Sequence, residues 1–212
     1  MKYLTVIIML MAASCAADTG GAAVAGGTSM EGQTMDRTGL ESLVLGGGCF
    51  WCLEAAYELV PGVKDVESGY AGGSRENPSY EQVSTGLTGH AEVVRVWFDP
   101  GEVDLGRLFE LFWKVHDPTT EDRQGADVGT QYRSIILYQG DAQKTAAELA
   151  VTQASATFRD PIVTDVEPLG VFWPAEDYHQ DFYRKNPEYG YCRVVVAPKV
   201  DKTKAFIGDM NR

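Results

Sequence analysis

The chain has 212 residues, 44% hydrophobic and 23% charged, the proportions of one soluble globular domain with appendages; a fully disordered chain and a polytopic membrane protein are excluded. Eighteen Lys and Arg against thirty Asp and Glu leave a net charge of −12, which provides no cationic face for phosphate backbones, so no nucleic-acid partner is expected. Four cysteines, three of them beyond the first 20 residues, are too few for a disulfide framework and direct attention to the chemistry of individual thiols.

Lys2, the apolar run 4–11 and Ala12-Ala13-Ser14-Cys15 form a charged, an apolar and a small-residue region in turn, so residues 1–15 read as a signal segment too short to span a bilayer. Cys15 stands where the lipobox of bacterial lipoproteins carries its diacylated cysteine, with Ala12 departing from the usual Leu, Val or Ile; Ser14-Cys15-Ala16 also reads as an ordinary secretory cleavage site. Residues 16–41, rich in Gly, Ala, Thr and Ser without periodicity, have the composition of a disordered linker. The expectation is a folded domain over 42–205 with a short tail, 206–212, held outside the cytosol. It would stand on the periplasmic face of a bacterial membrane by lipidation of Cys15, touching the membrane through the lipid alone, or be secreted to the periplasm.

Residues 42–47 (SLVLGG) predict a strand, the glycines 46–48 a tight turn, and 50–59 a helix stopped by Pro61-Gly62. An extended segment at 63–70 and a strand at 91–98 (AEVVRVWF) follow. Leu105, Leu108, Phe109, Phe112 and Val115 repeat at helical spacing. A strand at 133–139, an Ala-rich helix at 141–158, a strand at 162–167 and a helix at 174–185 complete the order, and the tail after Asn186 reads as irregular. Strands alternating with helices and long irregular stretches predict an α+β fold, a two-layer α/β sandwich with helices over a mixed sheet.

Cys49 falls where the first strand turns into the first helix, and a thiol there faces free N–H groups and the positive helix end, which lower its pKa from ~8.5 toward neutrality. That makes Cys49 a nucleophile; a small residue packed behind the sheet is the plainer reading. Cys49 and Cys52 also spell C-x-x-C, the pattern of a dithiol exchanger, while Phe50 and Trp51 between them are bulky enough to wall an apolar pocket beside the sulfur. Cys49, Cys52, Cys192 and His179 suffice by count for zinc but lack the ligand spacing, so no metal is expected.

GGGCFWCLE from Gly46, GYAGG from Gly69, NPSYEQVSTGLTGHAEV from Asn77, HDPTTEDRQGADVGTQYRS from His116 and AEDYHQDFYRKNPEYGYC from Ala175 occur in one order. Together they resemble the peptide methionine sulfoxide reductases of the A type, over about residues 42–204. The resemblance implies a ferredoxin-like core and a catalytic Cys49 that attacks the sulfoxide sulfur, with a preference for the S epimer. An acid is implied at Glu92, which period-two geometry sets on one strand face with Val94, Val96 and Phe98, an apolar setting that raises a carboxyl pKa. Tyr80 and Tyr132 match the family's oxygen-binding tyrosines, Asp127 its supporting aspartate, and Phe50 and Trp51 the walls that receive the substrate methyl. Cys192 matches the cysteine that regenerates Cys49 from its sulfenic acid, and Cys52 competes with it.

No cofactor is implied, only thiols. The expected partners are methionine sulfoxide in oxidised proteins and a thioredoxin-like dithiol donor, the chain itself being a monomer. Tail residues Arg193 to Val196, β-branched where relatives are glycine-rich, and Ala126 in place of Asn depart from the pattern. Two rival readings remain open, a general thiol-disulfide oxidoreductase working through Cys49 and Cys52, and a surface lipoprotein without catalysis.

Overall fold

The computed structural model describes residues 36–210; Cys15, the signal segment and most of the linker lie outside them. The chain enters through β1 (Glu41–Gly47), turns into α1 (Phe50–Tyr57), and returns as β2 (Val63–Ala71). A short α2 (Tyr80–Ser84) precedes β3 (Ala91–Phe98), and α3 (Leu105–Val115) follows it. A two-residue hairpin, β4 (Arg123–Gln124) with β5 (Asp127–Val128), leads through a 3-10 turn (Thr130–Tyr132) into β6 (Ser134–Tyr138). Then come α4 (Gly140–Ser155), β7 (Asp165–Pro168), β8 (Trp173–Pro174), α5 (Phe182–Lys185) and α6 (Ala197–Met210).

Six strands form one sheet in the order β7-β6-β1-β3-β2-β8. Neighbours run antiparallel except β6 and β7. Both β1 and β2 run opposite to the β3 between them, so they are parallel to each other and α1 is their crossover; α3 likewise links β3 to the parallel β6. Two such split β-α-β units interleaved as β6-β1-β3-β2 make the ferredoxin-like core, and the expected mixed sheet is present.

Alternation along the central strands divides the core. Leu43 and Leu45 of β1 and Val94, Val96 and Phe98 of β3 pack with α1, α3 and α6, whereas Val44, Ala91, Val93, Ile135 and Leu137 form a smaller cluster under Phe172 and Leu169 on the opposite face. Register sets Leu43 against Val96 and Leu45 against Val94. A slip of one residue would therefore turn Leu43 and Leu45 to the Phe172 face and drive Val44 into the helices.

Two segments depart from the sequence pattern. Of the helix expected over 174–185 only Phe182–Lys185 forms, because Gln180 is engaged with the backbone of β2. Its Nε2 donates to Ser68 O (2.9 Å) and Ala175 O (2.9 Å), and its Oε1 accepts from Ser68 N (2.9 Å), so one side-chain amide satisfies the sheet edge as a strand would. The tail, expected to be irregular, is helical from 190 to 210, with a π-helical turn at Cys192–Val196 running into α6. Pro198 accounts for the wide turn: it has no N–H to offer the Val194 carbonyl, and its ring crowds that carbonyl in an α-helical turn.

Candidate active site

Cys49 is the N-cap residue of α1, reached through Gly48, whose φ of +93° turns the chain out of β1. A β-carbon on Gly48 would also meet Gln124 Cβ at 2.7 Å, so both conformation and space require glycine. Gly46 is required by packing alone: its β-carbon would stand 2.8 Å from the Glu92 carbonyl oxygen. Close approach of β1 to β3 brings the start of α1 over the start of β3, and with it Cys49 over Glu92.

The Glu92 carboxyl accepts the Phe50 N–H at 3.1 Å, one residue from Cys49. It is 2% exposed, on the helix-facing side of β3, as strand alternation predicts. Burial raises its pKa from 4.5 to about 8, against the lowering effect of the Phe50 N–H, so it is mostly protonated at neutral pH. The Cys49 thiol departs from the sequence expectation. Burial, the hydrogen bond with Cys52 and the neighbouring Glu92 push its pKa up, and only the Trp51 N–H opposes them. Helix ends stabilise an anion when their N–H groups are free and water is near; here Glu92 already occupies the Phe50 N–H and Cys49 is only 7% exposed. The site thus sets a neutral thiol beside a neutral acid.

Tyr132 and Tyr80 complete this cluster. Burial and then the Glu92 charge raise both phenols, with Cys49 contributing to each, so their hydroxyls stay protonated donors. Tyr80 opens α2 behind a capping box in which the Ser79 hydroxyl accepts from Gln82 N and Gln82 Oε1 accepts from Ser79 N. Tyr132 ends the 3-10 turn, and its carbonyl accepts the Gly48 N–H at 3.2 Å, joining it to the turn before Cys49. Asp127 stands apart from the two tyrosines: it accepts from the Tyr191 hydroxyl at 2.5 Å.

Phe50 is 1% exposed and Trp51 half-buried, and both belong to an aromatic group that the motif alone does not disclose. Trp51 stacks on Phe182 at 3.7 Å and 6°, with Tyr191 at its edge, 6.0 Å away. The His179 ring lies 4.9 Å from Phe50 and 4.5 Å from Tyr80. The Trp51 indole N–H donates to His179 Nδ1 at 3.2 Å, which leaves the proton of the neutral ring on Nε2, a buried donor without a partner among the described residues. His116 is structural: Nδ1–H donates to Phe112 O (2.6 Å), Nε2 accepts from Ser134 Oγ (2.8 Å), and burial depresses its pKa to about 3.

Cys52 lies at the third position of α1, 0% exposed, its N–H bonded to Cys49 O at 3.0 Å. The Cys49 hydrogen bond lowers its pKa, burial opposes, and Lys199 and a Tyr191 hydrogen bond add to the lowering. Cys192 is equally buried, its pKa raised by burial and then by Cys52. All three thiols are free, with Cys52 between the other two in these interactions.

Several site residues carry no signal in the sequence. Glu176 accepts from Tyr70 Oη (2.8 Å) and Tyr80 N (2.9 Å), tying β2 and α2 to the segment after β8. Glu54, 1% exposed, accepts from Ser68 Oγ and Phe182 N, both at 3.1 Å, and burial raises its pKa to about 7. It lies one helical turn after Trp51 on the same side of α1, and Phe182 meets both, stacking on Trp51 and donating its N–H to Glu54.

The family model "Peptide methionine sulfoxide reductase" matches residues 41–210. The MsrA protein of Leptospira borgpetersenii is 53% identical over 163 residues, covering 77% of this chain and 93% of its own, and that of Nautilia profundicola is 55% identical over 159 residues (75% and 91%). Among solved structures, reduced Mxr1 of Saccharomyces cerevisiae superposes with a TM-score of 0.71 at 33% identity (76% of this chain, 94% of that one), and methionine sulfoxide reductase A of Corynebacterium diphtheriae with 0.67 at 38% (74% and 79%). Mxr1 is also known in a complex with Trx2, which at 23% identity and a TM-score of 0.51 bears on the fold alone. Extent and identity agree, and the chain belongs to the peptide methionine sulfoxide reductase family.

Proposed function

We propose that this chain reduces methionine sulfoxide, free or within oxidised proteins, with Cys49 as nucleophile and Glu92 as the acid. The observation that carries the reading is the juxtaposition at the start of α1: a buried thiol beside a carboxyl held protonated to about pH 8 and bonded to the Phe50 N–H at 3.1 Å. A sulfoxide sulfur becomes electrophilic when its oxygen takes a proton, so an acid that remains protonated at neutral pH is the group the reaction needs. Glu92 gives its proton to the oxygen as Cys49 forms the S–S contact, and the thiol proton returns to the Glu92 carboxylate. Transfer of oxygen leaves methionine and Cys49 sulfenic acid. The Tyr80 and Tyr132 hydroxyls, uncharged and near enough to Glu92 and Cys49 to feel their charge, hold the oxygen, and the aromatic group of Phe50 and Trp51 takes the methyl.

A second thiol condenses with the sulfenic acid, water leaves, and an external dithiol of the thioredoxin type reduces the resulting disulfide, with Cys192 and Cys52 as the available partners. A buried carboxyl can also move thiol protons in dithiol exchange, so the choice of substrate separates the two readings. Mixing the reduced chain with each sulfoxide epimer, and separately with a protein disulfide, tests the reading: methionine from the S epimer and slow disulfide exchange are expected, and the reverse pattern would establish the exchanger.

The N-terminal segment supports a location. We infer that cleavage before Cys15 and its diacylation anchor the domain outside the cytosol, with the residues between Cys15 and β1 as spacer; the expected linker over 16–41 ends before Glu41, which pairs with Phe98 in the sheet. In that compartment the disulfide is not reached by cytosolic donors, and a membrane-linked dithiol protein supplies electrons. Cys15→Ser should move the protein from the membrane fraction to the soluble or unprocessed one, and native protein soluble in the cytosol with residues 1–15 attached would contradict the anchor.

A further inference from the structure

No step of the reduction uses Glu54, a carboxyl buried on the helix that carries Cys49. Its two oxygens are both engaged: Oε1 accepts from Ser68 Oγ and Oε2 from the Phe182 N–H, each at 3.1 Å. Glu54 and Ser68 are 1% and 0% exposed, so water offers neither of them another partner, and the bonds are costly to leave unmade. Phe182 opens α5, a helix of four residues entered through Asp181 at φ +55°, and the first N–H groups of a helix have no partner within it. The Phe182 ring lies face to face on Trp51 at 3.7 Å and 6°, and the Trp51 N–H is spent on His179 Nδ1 at 3.2 Å. One helix thus carries both Trp51 and, a turn later, the carboxyl that places the ring stacked on it.

We propose that Glu54 is a positioning residue that sets the size of the alkyl group accepted on the sulfoxide sulfur: by holding the Phe182 N–H it fixes Phe182 on Trp51, and a fixed Trp51 admits methyl and turns away ethyl. The proposal rests on the reading of Phe50 and Trp51 as the wall that takes the methyl. One methylene is worth roughly 10–200-fold in a pocket, and a wall discriminates on that scale only if it does not retreat. Phe182 alone lacks that stiffness, because α5 is a single turn with no buried residue. The Glu54 bond ties its backbone to α1. Ser68 in turn ties Glu54 to β2, and the Ser68 N–H and carbonyl hold Gln180 of the same covering segment at 2.9 Å each. Charge is not the agent. Ionised, the carboxyl accepts both bonds; protonated, it accepts from the Phe182 N–H with one oxygen and donates to Ser68 Oγ with the other. A glutamine at this position can do the same, its oxygen toward Phe182 and its NH₂ toward Ser68, whereas leucine fills the volume and makes neither bond.

The test mixes the reduced full-length chain with an excess of N-acetylmethionine sulfoxide or N-acetylethionine sulfoxide over a range of concentrations. The saturating single-turnover rate and the half-saturating concentration are read for the wild type, Glu54→Gln and Glu54→Leu, with the thermal midpoint of each. The wild type should favour the methyl sulfoxide, and Glu54→Gln should match it. Glu54→Leu should need about tenfold more methyl sulfoxide for half-saturation, the scale of a buried hydrogen bond left unmade, with its saturating rate and its handling of the ethyl sulfoxide little changed. The methyl preference then falls by about the same factor. Should Glu54→Leu fail to fold, Glu54→Asp carries the test, since its shorter side chain draws the oxygens back from the Phe182 N–H and should lower the preference in the same direction. A folded Glu54→Leu, or Glu54→Asp in its place, with the wild-type methyl preference overturns the proposal. So does a Glu54→Gln protein that loses as much as Glu54→Leu, or an equal loss for both sulfoxides, which marks a merely structural residue. A wild type that reduces both sulfoxides alike overturns the methyl wall itself, and one that releases no methionine overturns the reductase reading beneath it.

Discussion

The start of α1 and the segment 173–196 that covers it are held by different forces. Around Cys49 the backbone is fixed by strands: Gly46 lets β1 press on β3, the Gly48 turn is bonded to Tyr132, and Glu92 sits in a strand whose neighbours are Val94 and Val96. The covering segment has little regular structure before residue 190 and is pinned by side chains instead, through Gln180 on the edge of β2, Glu176 between Tyr70 and Tyr80, and Trp51 stacked on Phe182. Strand ladders break together with the core, whereas single hydrogen bonds and stacks break one at a time. The first region can therefore hold neutral acid and thiol in place through every turnover. The second can release Cys192, which no external dithiol reaches while it is 0% exposed.

Removing a sulfur in the rigid region has the largest expected effect. Cys49→Ser should form no methionine even in a single turnover, as measured by quench after stoichiometric mixing. Cys192→Ser sharpens the contrast: it should release about one methionine per chain and then stall with a thioredoxin-type donor, since the reductase step lies in one region and regeneration in the other. Sustained turnover by Cys192→Ser would show that Cys52 alone communicates with the donor.

Glu92→Gln keeps shape and polarity and removes the transferable proton, so single-turnover reduction should fall by roughly 10²–10⁴. Its pH dependence has a definite sign. Because the folded-state pKa of about 8 exceeds the ordinary 4.5, the native chain keeps a proton that the unfolded chain loses. The stabilisation is full below the ordinary value and is lost as pH rises through about 8; the urea midpoint should fall across that window, less so in Glu92→Gln.

Phe182→Ala carries the smallest effect. It removes the face-to-face stack with Trp51, worth about 1 kcal/mol. Hydrogen exchange should quicken across 182–196 while β1 and β3 exchange as before. Equal acceleration in both regions would show that the covering segment and the sheet open together.

The rigid region was legible in the sequence and the cover was not, for a physical reason. Alternation in AEVVRVWF and the helical spacing of Leu108, Phe109, Phe112 and Val115 are repeated burial signals, and both elements form where they predict. Glycines before a cysteine announce a turn into a helix, and the turn is there. In the cover each anchor is a single residue acting over a long sequence separation, Gln180 on Ser68 or Tyr191 on Asp127, and leaves no period to read. Pro174 at the head of an apolar, charged stretch favours a helix locally, and the Gln180 amide overrides it. The tail misleads in the other direction: Val194, Val195 and Val196 resist helix locally, but the burial of Val196, Val200 and Phe206 with α1 and α3 prevails. The Cys49 thiol is raised where a helix end alone predicts lowering, because burial dominates and the Glu92 carboxyl occupies that helix end.

The central claim is that a neutral Glu92 drives oxygen transfer to Cys49, and one measurement bears on it most directly: the single-turnover rate of methionine release from pH 6 to 10, in the wild type and in Glu92→Gln. The wild-type rate should hold to about pH 8 and then fall as the carboxyl ionises, while the glutamine variant stays slow and loses that inflection. A wild-type rate that instead climbs through pH 8 with the ionisation of a thiol, matched by Glu92→Gln, would contradict the account and return Cys49 to the role of a thiolate acting without an acid.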